Sequence, residues 1–158
     1  MISINKKTSA IIQARMGSSR LPGKVMMKIK GKPLIDYLIE RLRYVEEFDE
    51  IIVATSISTL DDKLANHLQN QGIKVFRGSE ENVLKRVYDT ANFFNVDIIV
   101  EITGDCPIID PNIVSQVIRI YNNNNYDYVT NSNIRSYPDG MDVAVFSTQS
   151  LGRALSLA

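Results

Sequence analysis

Short runs of β-branched and apolar residues alternate along this chain with segments whose apolar residues recur at helical spacing. The runs predict strands at residues 9–14, 50–55, 73–76, 96–103, 126–130 and 141–146. The segments between them predict helices at residues 33–46, 60–71, 81–94 and 111–122, and the last stretch of the chain is again amphipathic. Strands that alternate with helices are typical of crossover units. The pattern therefore predicts an α/β fold with a mostly parallel central sheet covered by helices.

Several residues at the predicted helix starts fit those positions. Pro33 and Pro111 suit a first helical turn, where the missing amide N–H costs no hydrogen bond, and Asp110 is a natural N-cap before Pro111. Thr59, followed three residues later by Asp62, resembles a capping box with aspartate in place of glutamate. These signals support the predicted starts of three helices.

The composition is that expected of one globular domain. The 158 residues are 44% apolar, which is enough for one core and too little chain to expect two. Lysine plus arginine and aspartate plus glutamate each total 18, so we expect neither nucleic acid nor a membrane as a partner, and any anion site must be local. A single cysteine, no apolar run near the roughly 20 residues that span a bilayer, and no signal-peptide pattern make the cytoplasm the expected location.

The first predicted strand leads into a basic loop, Q-A-R-M-G-S-S-R-L-P-G-K at residues 13–24. A loop at the carboxyl end of a first parallel strand lies at the edge where open α/β sheets bind ligands. The residues that offer tight turns, hydroxyl donors or positive charge are Arg15, Gly17, Ser18, Ser19, Arg20, Gly23 and Lys24. This set suits a polyphosphate, although a solvated basic loop with two turn glycines would show the same composition.

The loop matches neither of the two common phosphate-binding fingerprints. The pattern G-x-G-x-x-G is absent. The pattern G-x-x-x-x-G-K-[ST] does not fit, because the interval from Gly17 to Gly23 is one residue too long and Val25 follows Lys24. The loop is therefore predicted to be neither a Rossmann dinucleotide turn nor a P-loop.

A carboxylate follows the predicted strand at residues 96–103. Asp105 comes directly after Gly104 and should lie at the same sheet edge as the basic loop. Because Mg²⁺ is usually bound by one or two carboxylates plus substrate phosphates, Asp105 is a candidate metal ligand, with an aspartate that caps a turn as the alternative. Cys106 has no histidine nearby in sequence, so we interpret it as a small buried residue rather than a nucleophile.

Two further segments carry polar side chains that suit a ligand. Arg77 and Ser79 precede a predicted helix whose free amides suit a pyrimidine or an anion, but a surface cation and a helix cap explain them equally simply. Asp142 enters the last predicted strand after a turn at Gly140. It is a candidate for binding substrate hydroxyls, and turn chemistry is again the alternative.

Several ordered motifs resemble those of the cytidylyltransferases that activate sugar acids. They are R-M-G-S-S-R-L-P-G-K, G-K-P-L-I-D, G-D-C-P-I-I-D and Y-P-D-G-M-D-V-A-V-F, at residues 15–24, 31–36, 104–110 and 137–146. The resembled enzymes make CMP-linked 3-deoxy-manno-octulosonate and CMP-linked acylneuraminate, and the motifs look most similar to the spore-coat polysaccharide biosynthesis members. The resemblance extends over nearly the whole chain. It implies a three-layer α/β/α fold of the nucleotide-diphospho-sugar transferase type.

The resemblance also assigns roles to individual residues. It implies that the opening loop wraps the triphosphate of CTP, and the nucleotide-binding residues that it implies are Ala14, Arg15, Gly17, Ser18, Arg20, Lys24, Arg77 and Ser79. It implies that Asp105 binds Mg²⁺ and that Arg15, Lys24 and Asp105 carry the catalysis. The implied reaction is attack by a hydroxyl of a sugar or sugar acid on the α-phosphorus of CTP, with release of pyrophosphate.

Members of the resembled family usually continue further and carry a second metal-binding aspartate in a T-V-D-x-P-E-D-like segment, whereas this sequence ends at Ala158. We therefore expect one nucleotidyltransferase-like domain at residues 1–158 that lacks the family's C-terminal portion, and homodimer formation is left open. Two other functions also remain open. One is a metal-dependent glycosyltransferase that uses a nucleotide sugar, and the other is a truncated module that binds nucleotide without turnover.

Overall fold

The computed structural model describes residues 6–18 and 20–158, so the predicted hydroxyl donor Ser19 lies outside the described residues. The strands are β1 (Thr8–Gln13), β2 (Lys28–Ile29), β3 (Lys32–Pro33), β4 (Glu50–Ser56), β5 (Lys74–Gly78), β6 (Ile98–Thr103), β7 (Tyr128–Thr130) and β8 (Ala144–Ser147). The helices are α1 (Leu34–Leu42), α2 (Asp62–Asn70), α3 (Val83–Phe93), α4 (Pro111–Asn122) and α5 (Thr148–Leu157), and single 3₁₀ turns lie at Lys24–Met26 and Thr59–Asp61.

The central sheet confirms the predicted, mostly parallel α/β arrangement. In the described part of the chain it has six strands in the order β5-β4-β1-β6-β8-β7. The strands β1, β4, β5 and β6 are parallel, whereas β8 runs antiparallel to both β6 and β7. β2 and β3 form a separate short hairpin, which the sequence pattern does not predict.

The strand order reverses at β1, and this reversal places two strand ends side by side. From β1 the chain moves outward to β4 and β5, and α3 then returns it to β6 on the other side of β1. Gln13 at the end of β1 pairs with Thr103 at the end of β6. Open α/β sheets bind ligands in the crevice that such a reversal creates. The loops that follow β1 and β6 therefore face each other across that crevice.

Both faces of the sheet are buried under helices, which explains why β1, β4 and β6 read as nearly continuous apolar runs. Ile12 of β1 and Val100 of β6 belong to the core on the side of α1, α2 and α4. Ile11 and Ile99 belong to the core on the side of α3 and α5. This is the three-layer α/β/α arrangement that the family resemblance implies. None of the helices in the described residues is long and apolar enough to cross a membrane.

The helix starts agree only in part with the sequence signals. Pro111 occupies the first turn of α4, and the carboxylate of Asp110 accepts a hydrogen bond from the N–H of Asn112 at 2.8 Å, as predicted. Pro33 instead lies in β3 with φ −57° and ψ 147°, and α1 begins one residue later. The prediction that Pro33 opens the helix is wrong because this extended backbone is already paired in the hairpin, where Pro33 is opposite Lys28.

The predicted capping box at the start of α2 is also wrong. Thr59 opens a 3₁₀ turn and α2 begins only at Asp62. Neither Ser58 nor Asp61, which occupy the two N-cap positions, makes a side-chain cap hydrogen bond. The carboxylate of Asp61 is buried instead, where it accepts hydrogen bonds from the backbone N–H groups of Met16 and Ser56.

Candidate active site

The loop after β1 folds back on itself in a tight turn. The N–H groups of Ser18 and Gly23 both donate to the carbonyl oxygen of Met16, at 2.9 and 2.8 Å. Gly23 has a φ of +72°, in the left-handed region that favours glycine. The turn brings the two ends of the loop together, so that its cations face one volume.

Asp61 holds the start of this loop through a hydrogen bond, although no pattern in the sequence singles it out. Its side chain is buried, with 1% of the residue exposed. One carboxylate oxygen accepts from the N–H of Met16 at 2.6 Å, and the other accepts from the N–H of Ser56 at 3.0 Å and from the Ser56 hydroxyl. Asp61 therefore ties the basic loop to the end of β4.

A glycine allows the end of β6 to approach β1 closely. The N–H of Gly104 donates to the carbonyl of Gln13 at 2.8 Å. A Cβ atom on Gly104 would lie 2.7 Å from the Cβ of Ala14 and 2.9 Å from the carbonyl oxygen of Gln13, which are distances that packed atoms do not adopt. This approach places the next residue, Asp105, opposite the basic loop.

Asp105 and Lys24 form an ion pair across the crevice. Burial acts to raise the pKa of the Asp105 carboxyl, but hydrogen bonds from Lys24 and Thr103 and the charge of Lys24 outweigh burial and hold that pKa below its ordinary value. Asp105 is therefore an anion at neutral pH, next to a cation of the loop.

Most of the predicted site residues line one cavity of about 300 Å³ between the two loops. Those that line it are Ala14, Arg15, Gly17, Ser18, Arg20, Lys24 and Asp105. The structure thus brings together the nucleotide-binding and catalytic residues that the basic loop and the end of β6 were expected to provide. We call this volume the first cavity.

Arg77 and Ser79 do not line the first cavity. The guanidinium of Arg77 donates to the carbonyls of Ser56 and Ser58 at 3.0 and 2.7 Å and pairs with the carboxylate of Asp62 at 2.6 Å. The hydroxyl of Ser79 accepts from a backbone N–H at the start of α3 at 3.0 Å. These contacts fit the simpler interpretation of a cation that holds a loop and a serine that caps a turn.

Arg86, in the first turns of α3, also lines the first cavity, and the sequence pattern gives no reason to select it. Its guanidinium donates to the carbonyls of Ser79 and Glu80, the second at 3.4 Å, while the guanidinium of Arg15 donates to the same Glu80 carbonyl at 3.2 Å. Burial lowers the pKa of Arg86, and the charge of Arg15 lowers it further. The charges of Asp61 and Glu80 act to raise this pKa, but the net shift is downward. The crevice thus holds a cation that is not part of the loop.

A second cavity, of about 600 Å³, adjoins the first. The residues that line both cavities are Arg20, Thr103 and Asp105, and the loop before β8 adds Arg135, Asp139 and Asp142 to the second. The direction of β8 explains this position, because an antiparallel strand begins where its parallel neighbour ends, and Ala144 pairs with Glu101 of β6. The predicted substrate-binding residue Asp142 therefore lies in the cavity that shares Asp105.

Cys106 is buried at the edge of this second cavity, with 5% of the residue exposed. Burial raises the pKa of its thiol, and the charges of Asp105 and Asp142 add to that effect. A thiol with a raised pKa is a poor nucleophile at neutral pH. The structure thus confirms the prediction that Cys106 is a small buried residue.

The carboxylates suit a metal ion that arrives with a nucleotide better than a resident one. Among residues 6–18 and 20–158, no group of three or more histidine, cysteine, aspartate or glutamate side chains is arranged to hold a metal ion. Mg²⁺ is commonly bound by one or two carboxylates and completed by substrate phosphates and water. Asp105, which is ionised and lies beside the cations of the basic loop, fits that mode of binding.

Comparison with known sequences gives a family and several relatives. Residues 9–157 match the model of the family described as cytidylyltransferase. The chain is 38% identical over 148 residues to the uncharacterized protein MJ1063 of Methanocaldococcus jannaschii, with 94% of this chain and 60% of the relative covered. It is 40% identical over 128 residues to the spore coat polysaccharide biosynthesis protein SpsF of Bacillus subtilis, with 77% of this chain and 53% of the relative covered.

A third relative is the 8-amino-3,8-dideoxy-manno-octulosonate cytidylyltransferase of Shewanella frigidimarina, which is 33% identical over 120 residues. That alignment covers 73% of this chain and 47% of the relative. The chain therefore spans between 47% and 60% of the length of these three curated relatives.

Solved structures agree with the sequence matches. A cytidylyltransferase from Leptospira borgpetersenii superposes with a TM-score of 0.92 at 34% identity, covering 97% of this chain and 65% of that one. A CMP:2-keto-3-deoxy-manno-octonic acid synthetase complexed with CTP shares the fold, with a TM-score of 0.78 at 21% identity and coverage of 97% and 79%. Because the family model matches residues 9–157, which is nearly the whole chain, this protein belongs to the cytidylyltransferase family.

Proposed function

We propose that this chain transfers CMP from CTP to a sugar or sugar acid, with release of pyrophosphate, for the synthesis of a cell-surface or spore-coat polysaccharide. The observation that carries the proposal is the position of Asp105 and the basic loop at the junction of two adjoining cavities. A nucleotide on one side of Asp105 and an acceptor on the other would meet there. The names of the relatives from Bacillus subtilis and Shewanella frigidimarina support the same chemistry and the same use.

The first cavity has the charge that a triphosphate requires. Arg15, Arg20 and Lys24 converge on it from the loop, and Gly17 and Ser18 bring the backbone close. Charge-assisted hydrogen bonds from such cations are stronger than neutral ones and neutralise the charge that develops on a departing pyrophosphate. Phosphoryl transfer of this kind depends on in-line positioning and charge neutralisation more than on covalent chemistry by the protein.

The ion pair of Lys24 and Asp105 gives this cavity a way to accept its ligand. When the nucleotide enters, Lys24 turns to a phosphate, and Asp105 would then be the residue that holds a metal ion accompanying the nucleotide. Mg²⁺ held by Asp105 and the phosphates would supply further positive charge next to the reacting phosphorus. Arg15, Lys24 and Asp105 are thus the proposed catalytic residues.

The second cavity has the features that a sugar acid requires. Arg20 offers a cation for the acceptor carboxylate, and Asp142 offers an acceptor for sugar hydroxyl groups. Arg135 and Asp139 form an ion pair in the same cavity, and an acceptor that carries both a carboxylate and hydroxyl groups can replace each partner. The acceptor hydroxyl attacks the α-phosphorus, the bond from that phosphorus to the pyrophosphate oxygen breaks, and the hydroxyl proton passes to water. Asp142 is the residue that we assign to acceptor binding.

Calorimetric titration of CTP with and without Mg²⁺ tests the nucleotide half of the proposal, with ATP, GTP and UTP as controls. Selective CTP binding that Mg²⁺ strengthens is the expected result. Equal binding of all four nucleotides, or no binding, contradicts the proposal. Pyrophosphate release in the presence of CTP and either 3-deoxy-manno-octulosonate, its 8-amino derivative or acylneuraminate then tests the acceptor half.

The same measurements separate the two other functions. A glycosyltransferase donor has already lost pyrophosphate and needs fewer cations than the first cavity provides. CTP affinity well above the affinity for a CMP-linked or UDP-linked sugar therefore favours the cytidylyltransferase reaction. CTP binding without pyrophosphate release, even at high protein concentration, would instead indicate a nucleotide-binding module without turnover.

A further inference from the structure

Arg86 is a buried cation that lacks a counter-charge in the free protein. Only 2% of the residue is exposed. In the described part of the chain, none of the ion pairs involves it, and its Nε has no hydrogen-bond partner. A guanidinium stays charged in proteins, and buried charges are ordinarily paired because their desolvation is costly. The two backbone carbonyls that Arg86 contacts satisfy hydrogen bonds but carry no net charge.

A second cation makes the position of Arg86 still less favourable. Arg15 and Arg86 donate to the same carbonyl oxygen of Glu80, at 3.2 and 3.4 Å, so the two guanidinium groups lie close together. Burial and the Arg15 charge both lower the pKa of Arg86. The carboxylates of Asp61 and Glu80 act in the opposite direction, but neither forms an ion pair with Arg86 among the residues that the structure describes.

We propose that Arg15 and Arg86 form a two-arginine anion site in the first cavity, in which a phosphate group of the bound nucleotide supplies the missing counter-charge. This inference rests on the proposed function and deepens it. It adds to the loop cations a charge from a different element, α3. An uncharged pyrimidine would leave the repulsion between the two guanidinium groups in place, whereas a phosphate removes it, so the observations favour phosphate.

Inorganic tripolyphosphate is the probe for this site, because it carries the charge of the triphosphate without a base or ribose. Its titration into the wild-type chain, without divalent metal so that no metal held by Asp105 adds to the affinity, is compared with three variants. Arg86→Met removes the charge and keeps much of the length, and Arg86→Lys restores the charge. Arg43→Met makes the same change in net charge near the first residues of β4 and β5, at the opposite edge of the sheet.

For Arg86→Met we expect tripolyphosphate affinity to fall about 10- to 100-fold, the range for losing a charge-assisted contact. Arg86→Lys should retain most of the affinity, and Arg43→Met should match the wild type. Binding of cytidine, measured in the same way, should not change. A residue that only held the Ser79 and Glu80 carbonyls would instead lower the melting temperature in both Arg86 variants and leave the affinity of the folded protein unchanged.

Wild-type tripolyphosphate affinity in Arg86→Met overturns the inference, as does a loss confined to cytidine. If Arg86→Met does not fold, NMR of the wild type tests the two-arginine site instead. The Arg86 Nε–H resonance, assigned through bonds from its own backbone, is expected to shift on addition of tripolyphosphate. A resonance that stays still while that of Arg15 moves overturns the inference.

The same measurements distinguish failure of the two-arginine site from failure of the proposed function. Selective CTP binding with the same affinity in the wild type and in Arg86→Met would contradict only the two-arginine site. Tripolyphosphate binding that depends on Arg86, together with no preference for CTP among nucleotides, would support the site and contradict the proposed function. A wild-type chain that binds neither ligand contradicts both.

Discussion

Lys24 and Asp105, from the loops after β1 and β6, neutralise each other across the crevice of the free protein. The pair joins the two strands that flank the reversal in strand order, and it holds both charges at the junction of the two cavities. Lys24 or Asp105 can therefore bind a ligand only when the ligand replaces its ion-pair partner. A phosphate replaces Asp105 as the partner of Lys24, and a cation replaces Lys24 as the partner of Asp105.

Asp105→Asn is expected to have opposite effects on CTP affinity with and without metal. Without Mg²⁺ the variant should bind CTP at least as tightly as the wild type, because Lys24 no longer has a competing carboxylate. With Mg²⁺ it should bind about 10-fold more weakly or worse than the wild type, since the metal loses its protein ligand. Calorimetry at several Mg²⁺ concentrations measures both effects. Asp89→Asn, a change at a half-buried residue of α3 that pairs with Lys85, is the control, and persistent Mg²⁺ dependence in Asp105→Asn would remove Asp105 from the metal site.

Arg15→Ala should weaken CTP binding in a salt-dependent way. Arg15 is an exposed residue, so its contribution should be screened by counterions. We expect a loss of about 3- to 10-fold at low ionic strength and a smaller loss at 0.5 M salt; this is the range for an ordinary net hydrogen bond, because solvent weakens the charge contact of an exposed residue. Arg119→Ala, an equally exposed cation in the last turn of α4, should leave the affinity unchanged. An Arg15→Ala deficit of the same size at all salt concentrations would argue against a screened charge contact.

Asp61→Ala should destabilise the fold and weaken CTP binding together. The substitution leaves the buried N–H groups of Met16 and Ser56 without their acceptor, and we expect about 2–4 kcal/mol lower free energy of unfolding. Its neighbour Asp62 forms only a surface ion pair with Arg77, so Asp62→Ala should cost less than about 1 kcal/mol. Urea denaturation compares the two variants. Equal effects would mean that Asp61 does not anchor the basic loop.

Gly104→Ala should be poorly tolerated whatever its effect on ligands. The new methyl group would meet the backbone of Gln13 and the Cβ of Ala14, and overpacking of this kind costs about 1–3 kcal/mol or more. At Gly17 the nearest atom to a new Cβ is 3.8 Å away, on the side chain of Glu80, so Gly17→Ala should leave the melting temperature nearly unchanged. A Gly104→Ala chain as stable as the wild type would show that the two strand ends can separate at little cost.

Glu101→Gln should change how stability depends on pH. Burial raises the pKa of Glu101, and the hydrogen bond from Gln13 only partly opposes this. A carboxyl whose pKa is higher in the folded than in the unfolded chain costs stability as pH rises through the interval between the two pKa values, and the cost persists above that interval. Glutamine cannot ionise, so the variant should gain stability relative to the wild type between pH 4 and pH 7.

Glu47→Gln provides a control of opposite sign for that measurement. Burial acts to raise the pKa of Glu47, but hydrogen bonds from Ser115 and Arg119 outweigh it, and the net shift is downward. Its ionised form therefore contributes stability that is present above the unfolded pKa and is lost as pH falls through the lower folded pKa. Glu47→Gln should lose more stability at pH 7 than at pH 4. Parallel pH profiles for the two variants would show that at least one of the two pKa directions is wrong.

The parts of the fold and site that could be predicted from sequence are those with a local signal. The apolar runs of β1, β4 and β6 are continuous because both faces of those strands are buried, and their alternation with helical segments gives the parallel sheet. The basic loop is contiguous in sequence, so its shared cavity follows from its position after β1. Asp105 could be placed opposite the loop because both follow parallel strands, although the strand order itself was not predicted.

What could not be predicted depends on contacts between distant segments. Asp61 and Arg86 lie in helical segments, where the pattern gives no sign that either side chain turns inward. Arg77 looked like a ligand contact because it precedes a predicted helix whose free amides suit an anion, yet its guanidinium donates to the carbonyls of Ser56 and Ser58. The antiparallel direction of β8 has no local signal either, since an apolar strand reads the same in both directions.

That direction has a consequence for how this fold can diversify. The first cavity is built from loops that leave parallel strands, each of which is fixed by the helix that follows it. The loop at residues 131–143 is different, because it leads into β8. Its length does not affect the described strands β1 and β6, whose loops line the first cavity. Under the proposed function, exchange or lengthening of this one segment would alter which acceptor is selected while the donor chemistry stays constant. If that function holds, evolution could produce enzymes for many different sugars while the first cavity stays unchanged.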